Sequence, residues 1–153
     1  MARTATGRPQ YETSLDRVGL AIGVGGLIGG VIAALLTVAA GGASAVGVVV
    51  ALFAGTVMTA LGITALALAP WAVMHASGRR GPLGAALLGA GIGFVLFLGG
   101  LTYGFGLATM PAMDGRTLFF RWASSIATSL VLAAMSAGVA LAMWRVAYRR
   151  VDG

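Results

Sequence analysis

Apolar residues in this chain come in long uncharged blocks instead of alternating with polar ones. From Val18 to Gly78 no residue is Asp, Glu, Lys or Arg, and the same holds between Arg80 and Asp114 and between Arg121 and Arg145. An uncharged apolar run of about 18 residues or more is long enough to cross a bilayer as a helix. The first block has room for two crossings and a turn, and each of the others has room for one. The pattern therefore predicts an all-α, polytopic membrane protein. It forms a single integral membrane domain over 1–153, built as an up-down bundle of four transmembrane helices at about 18–40, 45–74, 83–106 and 118–148.

The joints between blocks carry their own signals. Residues 1–13 are polar, include Gly7 and Pro9, and are expected to form a flexible cytoplasmic tail. Thr13 or Ser14 is placed to cap the first helix, with Asp16 in its first turn. Gly41 to Ser44 supplies a short turn, His75 to Pro82 a basic loop, and Leu107 to Thr117 a second loop containing Pro111 and the Asp114-Gly115 turn signal. The second span is long for one crossing and is expected to tilt. Pro70 is expected to kink its last turns. Ala43-Ser44-Ala45 has the form of a signal-peptide cleavage site, but the apolar stretch before it exceeds the usual length of about 7–15 residues, so the first span is expected to remain.

Composition sharpens the class. Hydrophobic residues make up 59% of the chain and charged residues 9%, with mean hydropathy +0.97. A soluble domain carries about 25% charged residues, so this chain could not cover a water-facing surface. Net charge +6 and pI near 11.4 could suggest nucleic acid. However, all ten Lys/Arg residues are Arg and they cluster at the ends of apolar blocks, with no basic face interleaved with aromatics. No nucleic-acid partner is expected. Four crossings put Arg3, Arg8, Arg17, Arg79, Arg80, Arg145, Arg149 and Arg150 on one side and Arg116 and Arg121 on the other. The positive-inside rule predicts that both termini are cytoplasmic, and the expected location is the inner cell membrane. Trp71, Trp144 and Tyr148 then fall at the inner interface, and Phe119, Phe120 and Trp122 at the outer one.

The first span is rich in glycine, which costs roughly 1 kcal/mol per residue against alanine in a water-exposed helix. In lipid, burial of greasy side chains does not drive helices together, whereas close backbone approach does. Gly19, Gly23, Gly26 and Gly30 are expected to form one helix-packing stripe. Gly55 and Gly62 are expected to serve span 2, and Gly89, Gly93, Gly100 and Gly104 to serve span 3. Small faces this numerous also point to a homo-oligomer or a larger membrane complex, with membrane lipids as the remaining partner.

Candidate chemistry is sparse. There is no Cys, hence no disulfide or thiolate. No ionisable residue lies at a span centre, where ion or proton transport normally leaves one. His75 ends span 2 and reads as an interfacial residue, with a proton relay as the sharper alternative. Arg121 reads as snorkelling to the outer head groups, the alternatives being a pair with Asp114 or an anionic lipid at that face. Ser125 and Ser129 share a hydroxyl-bearing face of span 4 with Ser136, read as interhelical or backbone hydrogen bonding before a polar path. Met110 and Met113 could offer thioethers to Cu(I), but two are too few for a site. Gly23 to Gly29 mimics a dinucleotide loop without the strand such a loop requires. No metal site, cofactor or catalytic residue is expected. The expected role is a non-enzymatic accessory, assembly or structural subunit, with a small oligomeric channel or transporter as the alternative.

Overall fold

The computed structural model describes residues 10–41, 44–104 and 114–151. Four helices are long and apolar enough to cross a membrane: α1 (Leu15–Ala39), α2 (Ala45–Ala76), α3 (Pro82–Gly104) and α4 (Gly115–Ala147). The chain is an all-α, multi-pass membrane protein, and each span lies within three residues of its expected bounds.

The helix ends follow local chemistry. Ser14 Oγ accepts from the Arg17 amide at 3.4 Å and Ser44 Oγ from the Gly47 amide at 3.0 Å, so each satisfies one orphan donor of its helix. Gly78 closes α2 at φ +75°, with the Arg79 amide donating to the Met74 carbonyl and the Gly78 amide to the His75 carbonyl. That is a Schellman motif, whose left-handed position glycine fills without a steric penalty. Gly41 also takes the left-handed conformation just past the end of α1, at φ +83°, with its amide donating to the Val38 carbonyl. Pro82 opens α3 at its first turn, where its missing N–H leaves no gap in the ladder.

Upstream of Pro70, where a kink is expected, the helix changes its winding. Residues Ile63–Ala67 are wound as a π-helical turn, immediately before the proline whose ring excludes the usual bond to the Leu66 carbonyl. The widened turn absorbs the misfit inside a continuous helix. A second π turn, Gly100–Gly104, ends α3.

The helices pair as two hairpins, α1 with α2 and α3 with α4, joined by a seam between α1 and α4. Between α2 and α3 the contacts come mainly from the π turn and the last turns of α2. Beneath the bundle, β1 (Gln10–Glu12) pairs antiparallel with β2 (Arg149–Val151), which puts Glu12 opposite Arg149. The two ends of the described chain thus lie side by side at one pole, here called basal. This corrects the expected tail: residues 10–12 form a strand, and residues 1–9 lie outside the described residues.

Burial is inverted relative to a soluble protein. The buried residues of the helices are small: Ala21, Gly25, Gly26, Gly30, Gly93, Ser129, Ala133 and Ala147. Leu20, Phe53, Val95 and Val131 are each more than 60% exposed. Such a surface suits hydrocarbon, which is as apolar as the side chains it touches.

Candidate functional site

The α1–α2 seam shows what the glycines do. A methyl group on Gly30 would collide with the Thr56 hydroxyl and the Leu52 carbonyl, and one on Gly26 would lie 3.0 Å from the Thr56 carbonyl oxygen. One on Gly55 would lie 2.7 Å from the Ala33 Cβ and 3.1 Å from the Gly30 Cα. Backbone runs against backbone here, and only hydrogen fits between. Thr56 turns its own hydroxyl inward, donating to the Leu52 carbonyl at 2.7 Å. The α3–α4 seam repeats the arrangement. A Cβ on Gly89 would lie 2.5 Å from that of Ala140 and 2.8 Å from the Ser136 carbonyl, and one on Gly93 would press on the Ser136 side chain.

Within one chain the expected stripe on α1 is corrected in register. Gly19 and Gly23 are exposed and have nothing within 4 Å of an added methyl, as is also true of Gly100 and Gly104 on α3. Gly62 has the same free space but borders an internal cavity. The sequence reading passed over Gly25 and Gly29. An added methyl on Gly25 would meet Ile63 and Met143 at 2.7 Å, and one on Gly29 would run into the Thr59 side chain. The signal was available: Gly25-Gly29 and Gly26-Gly30 are adjacent i, i+4 pairs that together widen the small face α1 turns to α2, with Met143 of α4 reaching Gly25.

Between the hairpins lies a cavity of about 470 Å³, walled by all four helices. Ala21, Gly25, Ile63, Ile92, Val139 and Met143 contribute to its wall, and Trp71, Trp144 and Tyr148 to its basal end. Thr59 and Ser136 bring the hydroxyls along its length, and that of Ser136 donates to the Leu132 carbonyl at 3.0 Å. The volume falls within the range of about 300–1,000 Å³ typical of small-molecule sites.

The basal end is a linked aromatic group. His75 Nδ1 and the Tyr148 hydroxyl lie 2.9 Å apart. The His75 ring stacks on Trp71 with centroids 5.4 Å apart, and Tyr11 packs edge-on to Trp144 at 5.2 Å. Trp144 Nε1 donates to the Arg80 carbonyl at 3.0 Å, and the Arg80 guanidinium donates to the Tyr11 carbonyl at 3.4 Å. Burial pushes the Tyr148 phenol above its ordinary pKa, although neighbouring groups including Arg80 pull the other way, so the phenol is neutral and can donate. Strand, loop and two helix ends are held together by this network. His75 is engaged in it as a packed, hydrogen-bonded ring.

The remaining polar residues lie apart from the cavity. Asp114 stands at the start of α4 and accepts from the Thr117 hydroxyl, which holds its carboxyl below the ordinary range. Arg121 is half-buried about two turns further on, while Arg116 lies over the Phe120 ring, 5.8 Å from its centroid. Ser125 is half-buried. Ser129 is fully buried, and its hydroxyl has no hydrogen-bond partner among the described residues. Met110 and Met113 lie outside the described residues. Among those described, no group of three His, Cys, Asp or Glu is placed to hold a metal ion. Comparison with protein-family models, curated proteins and solved structures gives no significant match.

Proposed function

We propose that this chain is a non-enzymatic accessory or assembly subunit of the inner cell membrane, with both termini cytoplasmic, that works by packing against a second copy of itself or a larger membrane complex. The observation that carries the reading is the outer face of α1. Gly19 and Gly23, one turn apart, floor a shallow groove flanked by Leu20, Val24 and Leu27, with free space above them. The same chain uses Gly26 and Gly30, at the same spacing, to seat α2 against its backbone. A small-xxx-small face directed at lipid is the arrangement by which separate membrane helices associate. The orientation rests on the basal arginines, which favour the cytoplasmic side.

Cross-linking in native lipid particles, followed by mass spectrometry, tests this reading. Association with a second copy or a defined partner is expected, and Gly23→Leu is expected to abolish it while the chain keeps its helicity. A strictly monomeric particle without partners contradicts it. The alternative, a small oligomeric channel or transporter, draws on the cavity, but the apolar wall offers no substitute for an ion's hydration shell. Ion flux through reconstituted liposomes would favour that alternative.

A further inference from the structure

The cavity has a side opening, and its neighbourhood indicates what enters. Leu66 and Leu68 on α2 and Leu96 and Phe97 on α3 line it and are also exposed. They mark a gap where α2 and α3 diverge, facing the bilayer. The wall runs along α1 from Val18 to Ile32, about 21 Å at roughly 1.5 Å per residue. A bilayer core is about 30 Å thick, so the slot starts at the basal interface and extends beyond the depth of one leaflet. That is room for an extended acyl chain standing along the membrane normal.

The basal lip is cationic. Arg17 precedes the lining residue Val18, and Arg80 is fastened to the lip by the Trp144 and Tyr11 hydrogen bonds. Arg79, Arg145 and Arg149 add charge at the same pole, against Glu12 and Asp16. Trp71, Trp144 and Tyr148 occupy the level at which amphipathic rings meet head groups. From the dimensions, the lateral gap and the charge at its mouth, we infer that the cavity holds one acyl chain of an anionic glycerophospholipid, whose phosphate is met by Arg80. Guanidinium suits this task because its planar fork matches phosphate oxygens. The wall makes no polar demand on the chain, so selection among lipids rests on the head group.

Native mass spectrometry of the full chain, carrying either phosphatidylglycerol or phosphatidylcholine with identical acyl chains, tests this. The expected result is a one-to-one phosphatidylglycerol adduct at least ten-fold more populated than the phosphatidylcholine adduct. Arg80→Gln is expected to bring the two to the same level. Ala67→Phe, which fills the cavity from α2, is expected to remove both while circular dichroism remains helical. Should the filled variant fail to fold, the wild-type chain still decides the matter through a phosphatidylglycerol bearing a photoreactive diazirine near the end of one acyl chain. Cross-links at Ile92 or Met143 support the inference. Cross-links confined to outward residues such as Leu27 and Val131, or equal retention of the two lipids by the wild-type chain, overturn it.

Discussion

A methyl group added at Gly30 would strike the Thr56 hydroxyl and the Leu52 carbonyl, whereas one added at Gly23, two turns earlier, would meet nothing. The same substitution should therefore have opposite signs at the two sites. Gly30→Ala is expected to destabilise by roughly 1–3 kcal/mol, as overpacking of a tight seam does. Gly23→Ala is expected to leave stability unchanged or raise it by up to about 1 kcal/mol, because alanine is the better helix former. Reversible unfolding of the monomeric chain in mixed micelles measures both, and equal effects would contradict the packing described. Ser129 offers a second sign test. Its hydroxyl is fully buried without a partner among the described residues, and a buried unsatisfied polar group costs about 1–3 kcal/mol. Ser129→Ala should therefore stabilise the chain in the same assay, and a loss of stability would reveal a hydrogen bond that this geometry does not contain.

The helices themselves were legible because charge-free blocks and breakers depend only on local sequence. Ser14, Ser44, Gly41, Gly78 and Pro82 all stand at helix boundaries where capping chemistry uses them. The strand at Gln10–Glu12 was not legible, since three residues carry no period and its partner lies at the far end of the chain. The face of α1 was half legible: small residues at i, i+4 announce close approach, but three such glycine pairs lie on that helix, and which of them meet a neighbour depends on how that neighbour is placed. Pro70 announced a disturbance, while its relief as a π turn upstream depends on packing around Ile63 and Ala67. Pro70→Ala restores the missing amide, and the expected result is slower hydrogen exchange across residues 63–70 as the turn relaxes to regular helix. Faster exchange there would mean that the proline is not what holds the π turn.

At the scale of the whole molecule, the cavity arises from a contact that is largely missing. Two hairpins each zip along small residues, one seam joins α1 to α4, and α2 and α3 diverge. No sequence pattern records such a gap, because it reflects the angle between elements, each of which looks complete alone. The basal aromatic cluster was legible only as an interfacial belt. The hydrogen bond between Tyr148 and His75, and the fastening of Arg80 beneath Trp144, join residues more than sixty positions apart. The inverted burial follows directly from composition: exposed Phe53, Val95 and Val131 require hydrocarbon around the bundle. The chain contains no Cys, so single spin-labelled cysteines can replace those three residues, and Arg79 in the basal loop, without background. In liposomes, collision with oxygen and with a water-soluble relaxation agent should separate the positions. Labels at 53, 95 and 131 are predicted to meet oxygen and escape the aqueous agent, with the reverse at 79, and free access of the aqueous agent to all four would contradict the account.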